Sequence, residues 1–221
     1  AKTLREFKKA LKIKPDIIAT GSKKLDAIAF GGIFKGNFDE KTAILLFDRN
    51  YAPAGYIYLL PHSKKMTTVT IAMRPWDNPR NLFQKLIYKH KLFQEQLHDS
   101  TLLYNFSGFA NFSIPKTAIT GNSLLVGEAA GFQDHAFGFG MRYAIYSGYL
   151  ASKAIVERRN YNDLWKKAFL HELKKTNRIR SVFDRADNNF LNQLIRNIGE
   201  RSIGEFANIW QSNRKMALFY F

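Results

Sequence analysis

Asn122-Ser-Leu-Leu-Val-Gly-Glu-Ala-Ala-Gly-Phe-Gln-Asp-His-Ala-Phe-Gly-Phe-Gly140 decides how this chain is read. Ser123 to Val126 is a short apolar run of the kind that forms a buried strand, and it enters Gly127 directly. A loop with four glycines follows, and after Gly140 the pattern turns helical. A carboxylate at the end of a strand, Glu128, can accept hydrogen bonds from the hydroxyls of a sugar or polyol. Gly127, Gly131, Gly138 and Gly140 let the backbone approach a planar ligand where a Cβ would clash. A helix that starts near Gly140 aims its free N–H groups and positive dipole end back at the loop, a setting that favours negative charge.

Outward from this stretch the chain divides into patterned segments. Upstream, Thr3 to Leu11 predicts a short basic helix, and Pro15 to Gly21 a buried strand that ends in a glycine turn. Ile28 to Phe34, Ala43 to Phe47, Tyr56 to Leu60 and Thr67 to Met73 are β-branched or aromatic runs separated by turn residues, which predicts an antiparallel sheet. Asn78-Pro79 marks a helix start, and Leu82, Phe83, Leu86, Ile87, Phe93 and Leu97 continue at helical spacing. Thr101 to Ile114 reads as extended. Downstream, Met141 to Arg158 predicts a long helix whose apolar stripe includes Ala144, Ile145, Gly148, Ala151, Ser152 and Ile155. Asn162 to Phe219 reads as three helices with breaks near Ser181 and Gly199, before an aromatic tail, Leu218 to Phe221.

Composition sets bounds on function. The 221 residues suffice to bury a core, and no apolar run approaches the roughly 20 residues that span a bilayer. No charged-then-apolar leader opens the sequence. With no cysteine, thiolate metal sites, disulfides and thiol redox chemistry are excluded, so redox chemistry requires a bound cofactor. This composition fits a reducing, cytoplasmic location. The net charge of +16 attracts anionic lipid, phosphorylated ligands or nucleic acid. Lys166, Lys167, His171, Lys174, Lys175 and Arg178 fall on one helical face, which reads as a solvated face or as a surface for peripheral contact with anionic membrane. No zinc-finger spacing or RNP-like motif accompanies the charge, which argues against a nucleic-acid partner. His62, His90, His98 and His171 lack metal-ligand spacing.

The residues from Gly127 to Ile155 resemble the second flavin-binding motif of the geranylgeranyl reductase and aromatic hydroxylase superfamily of FAD-dependent oxidoreductases. That motif runs Gly-Asp/Glu-Ala-Ala-Gly, an Asp-Pro loop, Gly-x-Gly and a helix with Ser-Gly. The resemblance implies that Glu128 binds the ribityl or ribose hydroxyls of FAD and that Gly138, Phe139 and Gly140 face the flavin pyrimidine. It further implies that Ala129, Ala130 and Gly131 keep the loop close to the cofactor. Ile17-Ile-Ala-Thr-Gly21 is similar to a strand found beside the nucleotide in many flavoproteins. Ala52-Pro-Ala-Gly-Tyr-Ile-Tyr-Leu-Leu-Pro-His62 resembles the segment that lines the lipid cavity of the reductases, which implies substrate contacts for Tyr56, Tyr58 and Pro61.

The chain departs from the family pattern at several places. His135 stands where the family has Pro, and is a candidate proton donor near the flavin, since imidazole titrates near neutrality. Phe139 replaces the Glu often found between the loop glycines, and Tyr58 and Leu60 replace Trp and Phe. A strand-borne Gly-x-Gly-x-x-Gly, which would hold the FAD pyrophosphate, is missing from the sequence. With Ala1 in place of Met, the chain reads as the C-terminal part of a longer protein or as one that lost its nucleotide domain.

The expected class is α+β: part of an FAD-binding α/β domain with an inserted antiparallel-sheet substrate domain and a helical C-terminal portion. The expected division is residues 1–24 as the remnant of the FAD domain, 25–117 as the sheet, 118–160 as the Gly-Glu motif and helix, and 161–221 as C-terminal helices. The expected function is hydride transfer from reduced flavin to an apolar, isoprenoid or lipid-like double bond. A flavin monooxygenase or halogenase and a cofactor-free binding module are the alternatives.

Overall fold

A computed structural model describes residues 15–22 and 24–198. The expected helix at Thr3 to Leu11, the break near Gly199 and the tail at Leu218 to Phe221 lie outside the described residues. The chain forms two compact units, Ala1–Arg185 and Ala186–Phe221. The architecture is α+β, as the sequence patterns imply.

Two sheets build the first unit. In the smaller, strand β1 (Ile17–Ile18) pairs parallel with β8 (Ser123–Leu125), and β8 pairs antiparallel with β7 (Ile119–Thr120). The larger is antiparallel, in the order β3 (Ile44–Leu46), β4 (Tyr56–Ser63), β5 (Met66–Met73), β2 (Ala27–Lys35) and β6 (Thr101–Ala110). The five-stranded sheet is thus inserted in sequence between β1 and β7. The chain leaves and returns side by side, because the Asp26 N–H donates to Ala110 O at 2.9 Å and Asp26 Oδ2 accepts from the Phe112 N–H at 2.8 Å.

Period-two alternation sets which face of the large sheet each residue takes. Ile57, Leu59, Val69, Ile71 and Met73 turn to one face, where they pack with Phe83 and Leu86 of α1 (Pro79–Lys89) and Phe93 of α2 (Lys91–Gln96). Full burial of each such side chain contributes about 1.5–3 kcal/mol. Helix α1 begins as its sequence dictates, with Asn78 Oδ1 accepting from the Asn81 N–H at 3.1 Å and Pro79 in the first turn. The helix expected to continue through Leu97 breaks at His90, which is extended (φ −86°, ψ 115°). There its ring packs edge-on against Tyr51 and Phe93, at 5.2 and 5.6 Å.

The second core lies behind the small sheet. It joins Val126, Phe132, Leu150, Ala151 and Ala154 to Tyr161, Trp165, Phe169 and Leu173. The last four are on one stripe of α4 (Tyr161–Arg185), and α3 (Met141–Val156) supplies Leu150, Ala151 and Ala154. The start of α4 is tied to the sheet by the Tyr161 hydroxyl, which donates to Leu125 O at 2.9 Å. Asn162 Oδ1 also receives the Ala118 N–H and the Trp165 indole N–H.

Two details differ from the sequence reading. Helix α3 buries Tyr143, Ser147, Leu150, Ala151 and Ala154, whereas Ile145 is 77% and Ile155 46% exposed. The face that packs on Trp165 and Phe169 of α4 is the one carrying Tyr143, Leu150, Ala151 and Ala154, so of the expected stripe only Ala151 is buried. The break expected at Ser181 falls after Arg185. Ser181 Oγ donates to Asn177 O inside the helix at 3.2 Å, which accommodates serine without ending the turn. In the second unit, α5 (Asn188–Ile198) is amphipathic, with Leu191 buried.

Glycines at and beside the large sheet separate tolerance from exclusion. A Cβ at Gly55 would meet Ala72 O at 1.8 Å, whereas one at Gly108 meets nothing among the described residues within 4 Å. Gly55→Ala is expected to destabilise the fold by about 3 kcal/mol or more. Gly108→Ala changes stability by less than about 0.5 kcal/mol. Urea denaturation of both variants checks the contrast.

Candidate functional site

Strand β8 delivers the chain into Gly127 at φ +56°, a left-handed conformation that glycine adopts without strain. The Gly127 N–H donates to Ser147 Oγ on α3 at 2.8 Å, so the helix anchors the turn. A single 3-10 turn, Gly127–Ala130, follows. It closes at Gly131 (φ +80°), where a Cβ would stand 2.3 Å from Ser113 O. Only glycine passes this point. Gln133 Nε2 then donates to Asn111 O at 2.6 Å, which fixes the loop to the returning end of the large sheet.

The next six residues fold on Asp134. Its carbonyl accepts the Gly138 N–H at 2.7 Å, its N–H donates to Phe139 O at 2.9 Å, and its Oδ1 takes the Phe137 N–H at 2.8 Å. Burial raises the Asp134 pKa, and the Phe137 and Ala136 amides oppose the shift. Gly138, at φ +79°, has nothing among the described residues within 4 Å of where its Cβ would be. Gly140 then begins α3, whose N-terminus has no side-chain cap.

Glu128 stands at the mouth of this turn. Its Oε1 is buried and has no hydrogen-bond partner among the described residues. Burial pushes its pKa above the ordinary carboxylate value, and a hydrogen bond from the Asn111 backbone opposes the shift only in part. A buried acceptor without a donor is costly, which makes Glu128 receptive to a ligand that brings hydroxyls. The Gly21 turn, at φ +70°, comes close enough that a Cβ there would stand 3.8 Å from Glu128 Oε2. The structure therefore brings the Ile17 to Gly21 segment together with the Gly-Glu turn.

The Tyr56 to Pro61 segment also meets the loop. Tyr56 is buried, and its hydroxyl donates to Phe137 O at 2.6 Å. Its ring lies 6.1 Å from Tyr58 and 5.7 Å from Phe137. Tyr58 turns to the sheet face opposite α1 and α2. There it is aligned with Leu45, Thr70, Gly31 and Phe106 across the strands. Leu45, Leu60 and Tyr104 leave apolar surface exposed. Pro61, paired with Thr67, falls by register on the other face, away from Tyr56 and Tyr58.

The remaining candidates are distributed unevenly. Phe139 is 66% exposed, Ala129 is half-buried, and Gly131 is inside. His135 has no exposed surface; its ring lies 5.6 Å from Phe112. Burial holds its pKa below the ordinary histidine value, against a hydrogen bond to Gly131 O that raises it. In this position it packs the interior of the loop. Sequence reasoning passed over Ser147, whose only signal was a Ser-Gly pair in a helix. It also passed over Arg180, which had no local motif. Tyr104 and Phe106, two apart on β6, fall by register on the Tyr58 face, whereas the sequence reading took Thr101 to Ile114 only as extended.

No family model matches the chain. A digeranylgeranylglycerophospholipid reductase from Methanospirillum hungatei is 24% identical over 193 residues, covering 76% of this chain and 46% of that protein. Digeranylgeranylglycerophospholipid reductase 2 of Methanosphaera stadtmanae is 28% identical over 123 residues, 54% of this chain and 31% of its own length. A 1H-pyrrole-2-carbonyl peptidyl-carrier-protein chlorinase from Pseudomonas fluorescens is 27% identical over 150 residues, 61% of this chain and 33% of the chlorinase. Among solved structures, a geranylgeranyl bacteriochlorophyll reductase-like protein from Thermoplasma acidophilum superposes with a TM-score of 0.68 at 21% identity. It covers 80% of this chain and 48% of that one. The chain thus spans less than half the length of these relatives. By sequence and fold it is similar to the geranylgeranyl reductase-like branch of the FAD-dependent oxidoreductases, in agreement with the resemblance carried by Gly127 to Ile155.

Ser147→Ala removes the acceptor of a buried N–H at the head of the turn. A loss of about 1–3 kcal/mol in thermal or urea denaturation is expected. Ser147→Thr restores the acceptor and part of the loss.

Proposed function

We propose that this chain supplies the flavin-ring and ribityl side of an FAD site, together with the apolar wall above it. The whole protein then acts as a reductase on an apolar, isoprenoid or lipid-like double bond. The observation that carries the reading is the orphaned Oε1 of Glu128 beside a glycine loop open at Gly138. The residues present fit the group. Glu128 accepts from ribityl hydroxyls, Gly138 leaves room for a flat ring, and the N-terminus of α3 favours negative charge on it. A reduced flavin held by these residues would supply hydride-transfer chemistry for reduction of an alkene, the second hydrogen coming as a proton.

The chain's own residues would prepare that step. The sheet face carrying Tyr58, Leu45, Leu60, Tyr104 and Phe106 offers apolar contact to a hydrocarbon substrate and keeps water from it. Tyr56 holds this face against the loop through Phe137. The basic outward face of α4 would draw in phosphorylated or membrane-borne substrates. Support from outside the structure is the reductase name borne by two relatives. The similarity to the chlorinase favours a second reading, a halogenase or monooxygenase, on the same flavin loop.

Three measurements decide between these readings. FAD titration of the purified chain, followed by flavin fluorescence quenching, is expected to show saturable binding that Glu128→Ala weakens at least tenfold. No binding by the wild type overturns the reading. Anaerobic saturation of an alkene with reduced flavin supports the reductase, whereas oxygen consumption with a halogenated or hydroxylated product supports the second reading. The pH dependence has a definite sign. Hydroxyl donors favour the ionised carboxylate, so binding draws the raised Glu128 pKa back down and releases a proton. FAD affinity therefore rises as pH increases through the upper carboxylate range, and Glu128→Gln flattens that profile.

A further inference from the structure

Arg180, 4% exposed in the last turns of α4, reaches both walls of the site. Its Nη1 donates to Ala136 O at 3.1 Å, and its Nη2 donates to Ala54 O. Ala136 lies two residues before Gly138 in the glycine loop. Ala54, at φ +49°, forms the turn that leads into β4 and Tyr56. A non-glycine residue holds such a backbone only when its surroundings over-determine it.

The guanidinium is itself held in place. Its Nε donates to Asp184 Oδ1 at 2.7 Å, and the ring of Phe183 lies 4.9 Å away. Asp184 also accepts from Arg74 Nε at 3.0 Å and Nη2 at 2.6 Å. Arg74 in turn donates Nη1 to Asp26 O and its backbone N–H to Pro53 O, beside Ala54. Burial lowers the Arg180 pKa to about 10, against the opposing charge of Asp184. Burial raises Asp184, but the bonds from Arg74 and the charge of Arg180 outweigh it and leave the carboxyl below its ordinary value. The planar fork of arginine is needed here, because two carbonyls and a carboxylate are addressed at once.

We infer that Arg180 is a positioning residue that fixes the Gly138–Gly140 loop against the Tyr56–Tyr58 face, so that occupancy of one wall is felt at the other. The identity of the ligand rests on the flavin reading above; the mechanical coupling does not.

Hydrogen exchange on the full chain, with and without FAD, tests it in Arg180→Lys, Arg180→Met and Tyr56→Phe. In the arginine variants, amides in residues 52–56 and 134–140 are expected to exchange at least tenfold faster together. Those of Phe83 and Leu86 keep the wild-type rate. FAD protects both segments in the wild type but only residues 134–140 in Arg180→Lys. Tyr56→Phe, which loses the bond to Phe137 O but retains Arg180, is expected to speed exchange in the two segments less than either arginine variant does. Faster exchange in one segment alone, or a uniform rise accompanied by a lower Tm, overturns the proposal and leaves Arg180 a general stabilising residue. Should wild-type chain fail to bind FAD, the flavin reading falls, and the exchange rates of the ligand-free variants still decide the coupling.

Discussion

The backbone passage from Gly127 to Gly131 is the constraint on which the site depends. Strand β8 must hand the chain to a loop and then to α3 with almost no room, since Ala144 presses on Gly127 and Ser113 O on Gly131. Two left-handed glycines make the passage possible, and Ser147 Oγ, on the helix it leads to, secures its first amide. A side chain at either glycine would push the loop away from α3 or from the end of the large sheet. Everything placed by that loop would move with it: the Glu128 carboxylate, the open edge at Gly138 and the seat of Tyr56 on Phe137.

Around this passage the two sheets divide the labour. The small sheet with α3 and α4 forms a core rich in aromatic residues, and that core fixes where the turn begins. The large sheet packs the face of Phe34, Ile57, Leu59, Val69 and Ile71 against α1 and α2 and turns the face of Tyr58 away from them. Between the sheets the contacts are polar and directional, through Asp26, Arg74, Arg180 and Asp184. Such contacts confer position more than net stability, because paired buried charges roughly offset their desolvation.

Much of the architecture was legible because it rests on local pattern. The β-branched and aromatic runs from Ile28 to Met73, separated by turn residues, announced the antiparallel sheet. Asn78-Pro79 announced α1 through capping chemistry. Glycines at 127, 131 and 138 announced the turn, and all three have positive φ. What was hidden depends on residues distant in sequence. The face that α3 buries is set by Trp165 and Phe169, so the small-residue stripe read from α3 alone misplaced it. His90 breaks its helix through contacts with Tyr51. Arg180 is 126 residues from Ala54, and no periodicity within α4 links them. Pro61 was grouped with Tyr56 and Tyr58 by the resemblance of their segment, whereas strand parity separates them.

The central claim is that the Gly127 to Gly140 turn reads the polyol and ring of a flavin. A comparison of lumiflavin, which lacks the ribityl chain, with riboflavin, FMN and FAD tests it most directly, by fluorescence quenching against wild-type chain and Glu128→Gln. The account predicts that the three ribityl flavins bind the wild type within a few-fold of one another, and that lumiflavin binds at least tenfold more weakly. In Glu128→Gln that gap narrows. Equal binding of lumiflavin and riboflavin to the wild type, or a gap untouched by the substitution, would contradict it.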